Sequence, residues 1–105
     1  MAMAGNTILV AAAALGLTTA VAAAAPRHLD TIERECGRRL HLPGPGCTCL
    51  RERAAKLKDG QQAFVAAVVV KDKAAQARLR QGMTVQELTE AGMFMTNAPG
   101  QCARR

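Results

Sequence analysis

The sequence predicts an all-α domain, a small bundle of four to five short helices cross-linked by two disulfides and preceded by an N-terminal signal peptide. Three observations lead there. The N-terminal quarter is uncharged and Ala-rich, whereas every Asp, Glu, Lys and Arg falls after Pro26. All four cysteines, Cys36, Cys47, Cys49 and Cys102, lie in that charged part. Apolar residues there recur at helical intervals, and no second β-branched run exists to pair with the one at Val68-Val69-Val70.

Residues 8–17 (ILVAAAALGL) form a short apolar core, and residues 21–25 (VAAAA) a small-residue tail. This is the layout of a secretory signal, although its first residues carry no Lys or Arg. Pro26 makes a poor first mature residue, so the expected cut follows Ala24, with Ala22 and Ala24 as the Ala-x-Ala pair. The expected organisation is a signal peptide at 1–24 and one helical domain at 25–105. A permanent anchor fits less well, because a spanning helix needs roughly 18–20 strongly apolar residues. The first cysteine after the apolar core is Cys36, too distant for a lipoprotein anchor.

The charged part carries the whole formal net charge of +6. A domain this small buries only about 60% of its unfolded surface. Phe64 and Phe94 are its only aromatic residues, so the core is thin. An even cysteine count in a short exported chain then reads as a stabilising disulfide framework, which places the protein in the periplasm or outside the cell. A Cys47–Cys49 bond would close a strained ring over Thr48 alone. The two remaining pairings each tie Cys36 to one member of that pair and Cys102 to the other, and both stay open.

The first helix is expected over residues 27–42. Leu29, Ile32, Cys36 and Leu40 line one face, Asp30 and Glu33 stand at capping spacing, and Arg34, Arg38 and Arg39 are solvated. Pro43-Gly44-Pro45-Gly46 breaks it and forms a tight bend from which Cys47 and Cys49 emerge. Residues 49–58 are helix formers, with Leu50, Ala54 and Leu57 inward and Arg51, Arg53, Lys56 and Lys58 outward. Asp59-Gly60 marks the next break. Residues 61–70 (QQAFVAAVVV) read as a buried central helix holding Phe64, Val65, Val68 and Val69. A polar helix continues over 71–81 with Ala75 and Leu79 inward, until Gly82. Thr84 and Glu87 form a capping box. The last helix presents Val85, Leu88, Gly92 and Met95 and runs to Asn97, where Pro99-Gly100 turns the chain and leaves Cys102 beyond it.

Catalysis finds little support. The chain has no serine, and its histidines, His28 and His41, stand near the ends of the first helix. Export oxidises the thiols that a Cys–His nucleophile would need. No catalytic motif or cofactor motif is present, so no cofactor is expected and the protein reads as a non-enzyme. Two readings compete for the Cys47-Thr48-Cys49 pair besides the framework. One is a thiol-redox site, which lacks the Cys-x-x-Cys spacing. The other is a soft-metal site for zinc or copper(I), built from Cys47, Cys49, His41 and His28 with Met93 and Met95. It fits no zinc spacing.

Arg38, Arg39, Arg51, Arg53, Lys56 and Lys58 are the candidate basic contact face. Nucleic acid would demand retention in the cytoplasm and more aromatics for stacking. An anionic envelope component or an acidic protein is the expected kind of partner, and no transmembrane span is expected once the signal is removed. The functional expectation is a non-catalytic structural or interaction protein of the cell envelope.

Overall fold

The structure, a computed structural model, describes residues 26–105; the signal-peptide reading of residues 1–24 lies outside the described residues. Those residues form five helices and no strand: α1 (Arg27–Leu40), α2 (Gly44–Ala54), α3 (Asp59–Val69), α4 (Lys73–Arg80) and α5 (Val85–Cys102). The all-α, disulfide-linked class expected from the sequence is what the described residues adopt. Helix α1 packs on α2 and α3, α5 packs on the same two, and α4 lies against α3.

In α1 the expected stripe holds. Ile32 and Cys36 are fully buried, and Leu29 and Leu40 pack beside them. The expected Asp30 cap does not form, because the helix already begins at Arg27, behind Pro26, with no side-chain cap. Asp30 sits instead in the first turn, where its charge favours the helix dipole. It accepts a hydrogen bond from Arg51 Nη1 at 2.5 Å, and Glu33 accepts one from the same nitrogen at 3.2 Å. Arg51, expected on an open outer face, is thereby a clamp between α1 and α2. His41 adopts left-handed backbone (φ 60°, ψ 31°) and ends the helix two residues before the expected Leu42.

The bend is shorter than expected. Pro43 is the N-cap, and Gly44, Pro45 and Gly46 form the first turn of α2. Proline is tolerated there because its missing N–H is one of the donors that a helix start leaves unbonded anyway. Cys47 and Cys49 therefore stand on a helix rather than at the exit of a loop. Residues two apart on a helix point about 200° from each other, so their sulfurs cannot reach one partner. Cys47 bonds Cys36 of α1, and Cys49 bonds Cys102 of α5, each with Cα atoms 5.6 Å apart. With separations of 11 and 53 residues, closing these loops stabilises the fold by about 3 and about 4 kcal/mol by chain entropy.

The Val-rich stretch is helical, as expected. Phe64, Val65, Ala66, Ala67 and Val69 are buried because neighbours cover α3 on several sides. Its boundaries differ from expectation. Asp59 and Gly60 open the helix, and the break lies at residues 55–58, after Ala54. Gln61 and Gln62 are buried too. Gln61 Oε1 accepts from the Lys58 N–H at 2.9 Å, while its Nε2 donates to the Glu87 carbonyl at 2.9 Å and to Glu90 Oε1 at 3.0 Å. One amide thus caps α3 and stitches it to the start of α5. Gln62 Nε2 donates to the Leu57 carbonyl, closing the preceding turn.

The expected polar helix at 71–81 begins later, because Lys71 (φ 60°) reverses the chain. Asp72 then caps α4 by accepting from the Ala75 N–H. Ala75 and Leu79 are half-buried, and Arg80 lies over the Phe64 ring at 5.9 Å. The Thr84–Glu87 capping box forms with both of its bonds. Helix α5 then passes the expected stop at Asn97 and continues through Pro99 and Gly100 to Cys102. Pro99 cannot donate to the carbonyl four residues back, at a cost of about 3 kcal/mol in an unsupported helix. The Cys49–Cys102 bond holds this last turn against α2. The inward stripe holds in part: Leu88 and Met95 pack on the core, as do Ala91 and Phe94, expected beside them, and Ala98 and Cys102 extend it, whereas Val85 is 84% exposed. Gly92 faces outward as well.

Gly46 lies where α2 meets the end of α5. A Cβ there would stand 2.9 Å from the Cys102 carbonyl oxygen, whereas one at Gly44 would meet nothing within 4 Å. Gly46→Ala is expected to destabilise by about 1–3 kcal/mol, and Gly44→Ala to be neutral or slightly stabilising; urea unfolding without reductant compares them. In the same assay Gln61→Leu should cost about 1–3 kcal/mol, because it removes the bonds that this buried amide makes to the Lys58 N–H, the Glu87 carbonyl and Glu90.

Candidate functional site

The Cys49–Cys102 crosslink sets α2 beside α5 with an open groove between them. Cys49, Glu52, Arg53 and Lys56 follow one another at spacings of three, one and three, a single face of α2 and the turn after it. Met93, Phe94, Asn97, Ala98, Gln101 and Arg105 do the same along α5 and its end. The groove encloses about 660 Å³, within the range of small-molecule sites.

Its two sides differ chemically. Phe94 is half-buried, Ala98 is buried, and Met93 is 58% exposed, unusual for so large an apolar side chain. Arg53, Lys56 and Arg105 line the same groove as these apolar side chains, with Glu52 the one acidic residue in the lining. Arg53 is half-buried and donates from Nη1 to Gln101 Oε1, which fixes it across the groove from α2 to α5.

The structure divides the six basic residues of the expected contact face. Arg53 and Lys56 line the groove. Arg51 is held by Asp30 and Glu33, and Lys58 by Glu87 at 3.3 Å. Arg38 and Arg39 stand at the end of α1, where both donate to Glu35. Arg38 foremost, with Arg39, holds the Glu35 carboxyl below its ordinary range. The Thr84 N–H, followed by Lys58, does the same for Glu87.

The soft-ligand candidates are spread over different surroundings. Cys47 and Cys49 are committed to separate crosslinks, and among the described residues no cysteine is free. His28 lies at the start of α1 and is half-buried; His41 lies at its end and is exposed. Met93 lines the groove, while Met95 packs on the core. Sequence reasoning named Met93 as a soft ligand, Phe94 as a core aromatic and Asn97 as a helix end rather than as groove residues, and did not single out Gln101 or Arg105. Met93, Phe94 and Asn97 lie within the expected helix, and Gln101 joins their face only when the helix is carried through Pro99.

No known protein family matches this chain, and comparison with curated proteins and with solved structures finds no match.

A depressed carboxyl pKa stabilises the fold fully above the unfolded value, about 4.3 for Glu, and the contribution disappears as pH falls through the lower folded value. The melting temperature should therefore decline below that pH, and less steeply in the Glu35→Gln/Glu87→Gln variant; thermal melts between neutral and strongly acidic pH read the difference.

Proposed function

We propose that this protein is a small exported, non-catalytic interaction protein of the cell envelope, and that the α2–α5 groove holds an amphiphile with an anionic head. The observation that carries the reading is the presence in one groove of apolar side chains, exposed Met93 and half-buried Phe94, together with the cations Arg53, Lys56 and Arg105. An apolar body gains by leaving water against Met93 and Phe94. An anionic head gains charge-assisted hydrogen bonds from the three cations. Two disulfides suit a periplasmic or extracellular location, and among the described residues no helix is long and apolar enough to cross a membrane. A net charge of +6 draws anionic partners towards the surface before any specific contact is made.

The test uses dodecyl phosphate below its micellar concentration, with dodecanol as the uncharged counterpart, followed by calorimetry or amide chemical shifts. Dodecyl phosphate should bind with the shifts centred on α2 and α5, and Arg53→Glu/Lys56→Glu should weaken it at least about tenfold. Equal binding of dodecanol, or indifference to the charge reversal, removes the reading.

A further inference from the structure

A second concavity lies away from the groove and is lined by Arg38, Arg39, His41 and Lys71. It encloses about 350 Å³ and contains no acidic and no apolar side chain in its lining. The elements meet there at their ends. Arg38 and Arg39 occupy the last turn of α1, His41 caps that helix, and Lys71 follows the end of α3, which packs on α1.

Helix C-termini favour cations, and that alone accounts for a basic residue at each end. It does not account for the backbone. Among the described residues only His41 and Lys71 are non-glycine residues with positive φ, both at 60°. Left-handed backbone is unfavourable for a side chain bearing a Cβ, and glycine or asparagine is the usual occupant of such a helix end. Both positions instead hold a residue with a nitrogen-bearing side chain, and both residues line the same concavity.

The carboxylate that reaches Arg38 and Arg39 is already shared, and Asp72, next to Lys71, accepts from the Ala75 N–H. Glu35 accepts from Arg38 Nη2 and, at 3.4 Å, from Arg39 Nε, and it lies 3.7 Å from Arg34 Nε. One carboxylate thus serves three guanidiniums. Arg39 engages it only through Nε, which leaves the N–H groups of both terminal nitrogens without that acceptor. Arg38 likewise engages it through one nitrogen. Planar guanidinium forks with spare donors match the paired oxygens of a tetrahedral oxyanion.

We infer that this concavity is an oxyanion site for the phosphate class, taking a ligand with at least two negative charges. Arg38 and Arg39 supply forked donors, His41 a ring N–H, and Lys71 a point charge from the opposite element. The absence of an apolar lining sets it apart from the α2–α5 groove, so the site stands or falls independently of the function proposed for that groove.

Titrating inorganic pyrophosphate into the full oxidised protein, followed by amide chemical shifts, tests the site. The expected result is saturable movement confined to the end of α1, His41 and the residues around Lys71. Arg39→Gln/Lys71→Gln changes only exposed side chains and should weaken binding at least about tenfold. Arg78→Gln/Arg104→Gln, which removes the same charge from exposed residues outside both concavities, should leave it within about twofold. Glycerol 3-phosphate is the second arm: tighter binding than pyrophosphate identifies a lipid head group as the source of the phosphate, and weaker binding identifies a free polyphosphate. Shifts that never saturate, that spread over all basic residues, or that survive Arg39→Gln/Lys71→Gln overturn the proposal.

Discussion

Two sulfurs on one helix, leaving it in nearly opposite directions, set the architecture. Because Cys47 and Cys49 are two residues apart on α2, each must find its partner on a different neighbour. The first partner comes from α1 and the second from the far end of the chain in α5. Helix α2 is therefore the spine to which both termini of the described domain are tied. The crosslinks also account for the close approach at Gly46, where the backbone of α5 lies too near for a side chain. With only two phenylalanines in the chain, covalent closure supplies what apolar burial in so small a core does not.

The remaining packing follows from a few polar stitches at helix ends. Gln61 ties the start of α3 to α5, Gln62 closes the turn before α3, and Asp72 and Thr84 cap α4 and α5. Among the described residues no buried side-chain nitrogen or oxygen lacks a hydrogen-bond partner. That matters more in a thin core than in a thick one, since one stranded amide would offset a large share of the net stability. Exposed ion pairs, such as Arg51 with Asp30, contribute orientation more than energy.

The same framework produces the two concave surfaces. Drawing α5 onto α2 through Cys49 aligns a face of each and leaves a groove lined by both apolar and basic side chains. Ending α1 and α3 with left-handed residues brings four basic side chains to a separate place. The charges that looked like one basic face in the sequence are thus distributed among ion pairs, a groove and a distinct cluster. Their neighbours, rather than their number, decide which are available to a ligand.

The amino-acid order alone determined the helical class, the buried stripe of α1, the burial of the Val-rich α3 and the capping box at Thr84. Each depends on local periodicity or on contacts within one turn, which neighbouring residues encode directly. Tertiary structure decided which cysteine of the pair bonds which partner, how Arg51 is spent, and that α5 continues through Pro99. Proline weakens a helix locally, and only the anchoring of the next turn to α2 through Cys102 overrides that preference. Of the groove residues of α5, Gln101 was hidden for the same reason, because it follows Pro99. Met93, Phe94 and Asn97 share a face already within the expected helix, and only the crosslink that sets α2 beside them, a bond spanning 53 residues, makes that face one side of a groove.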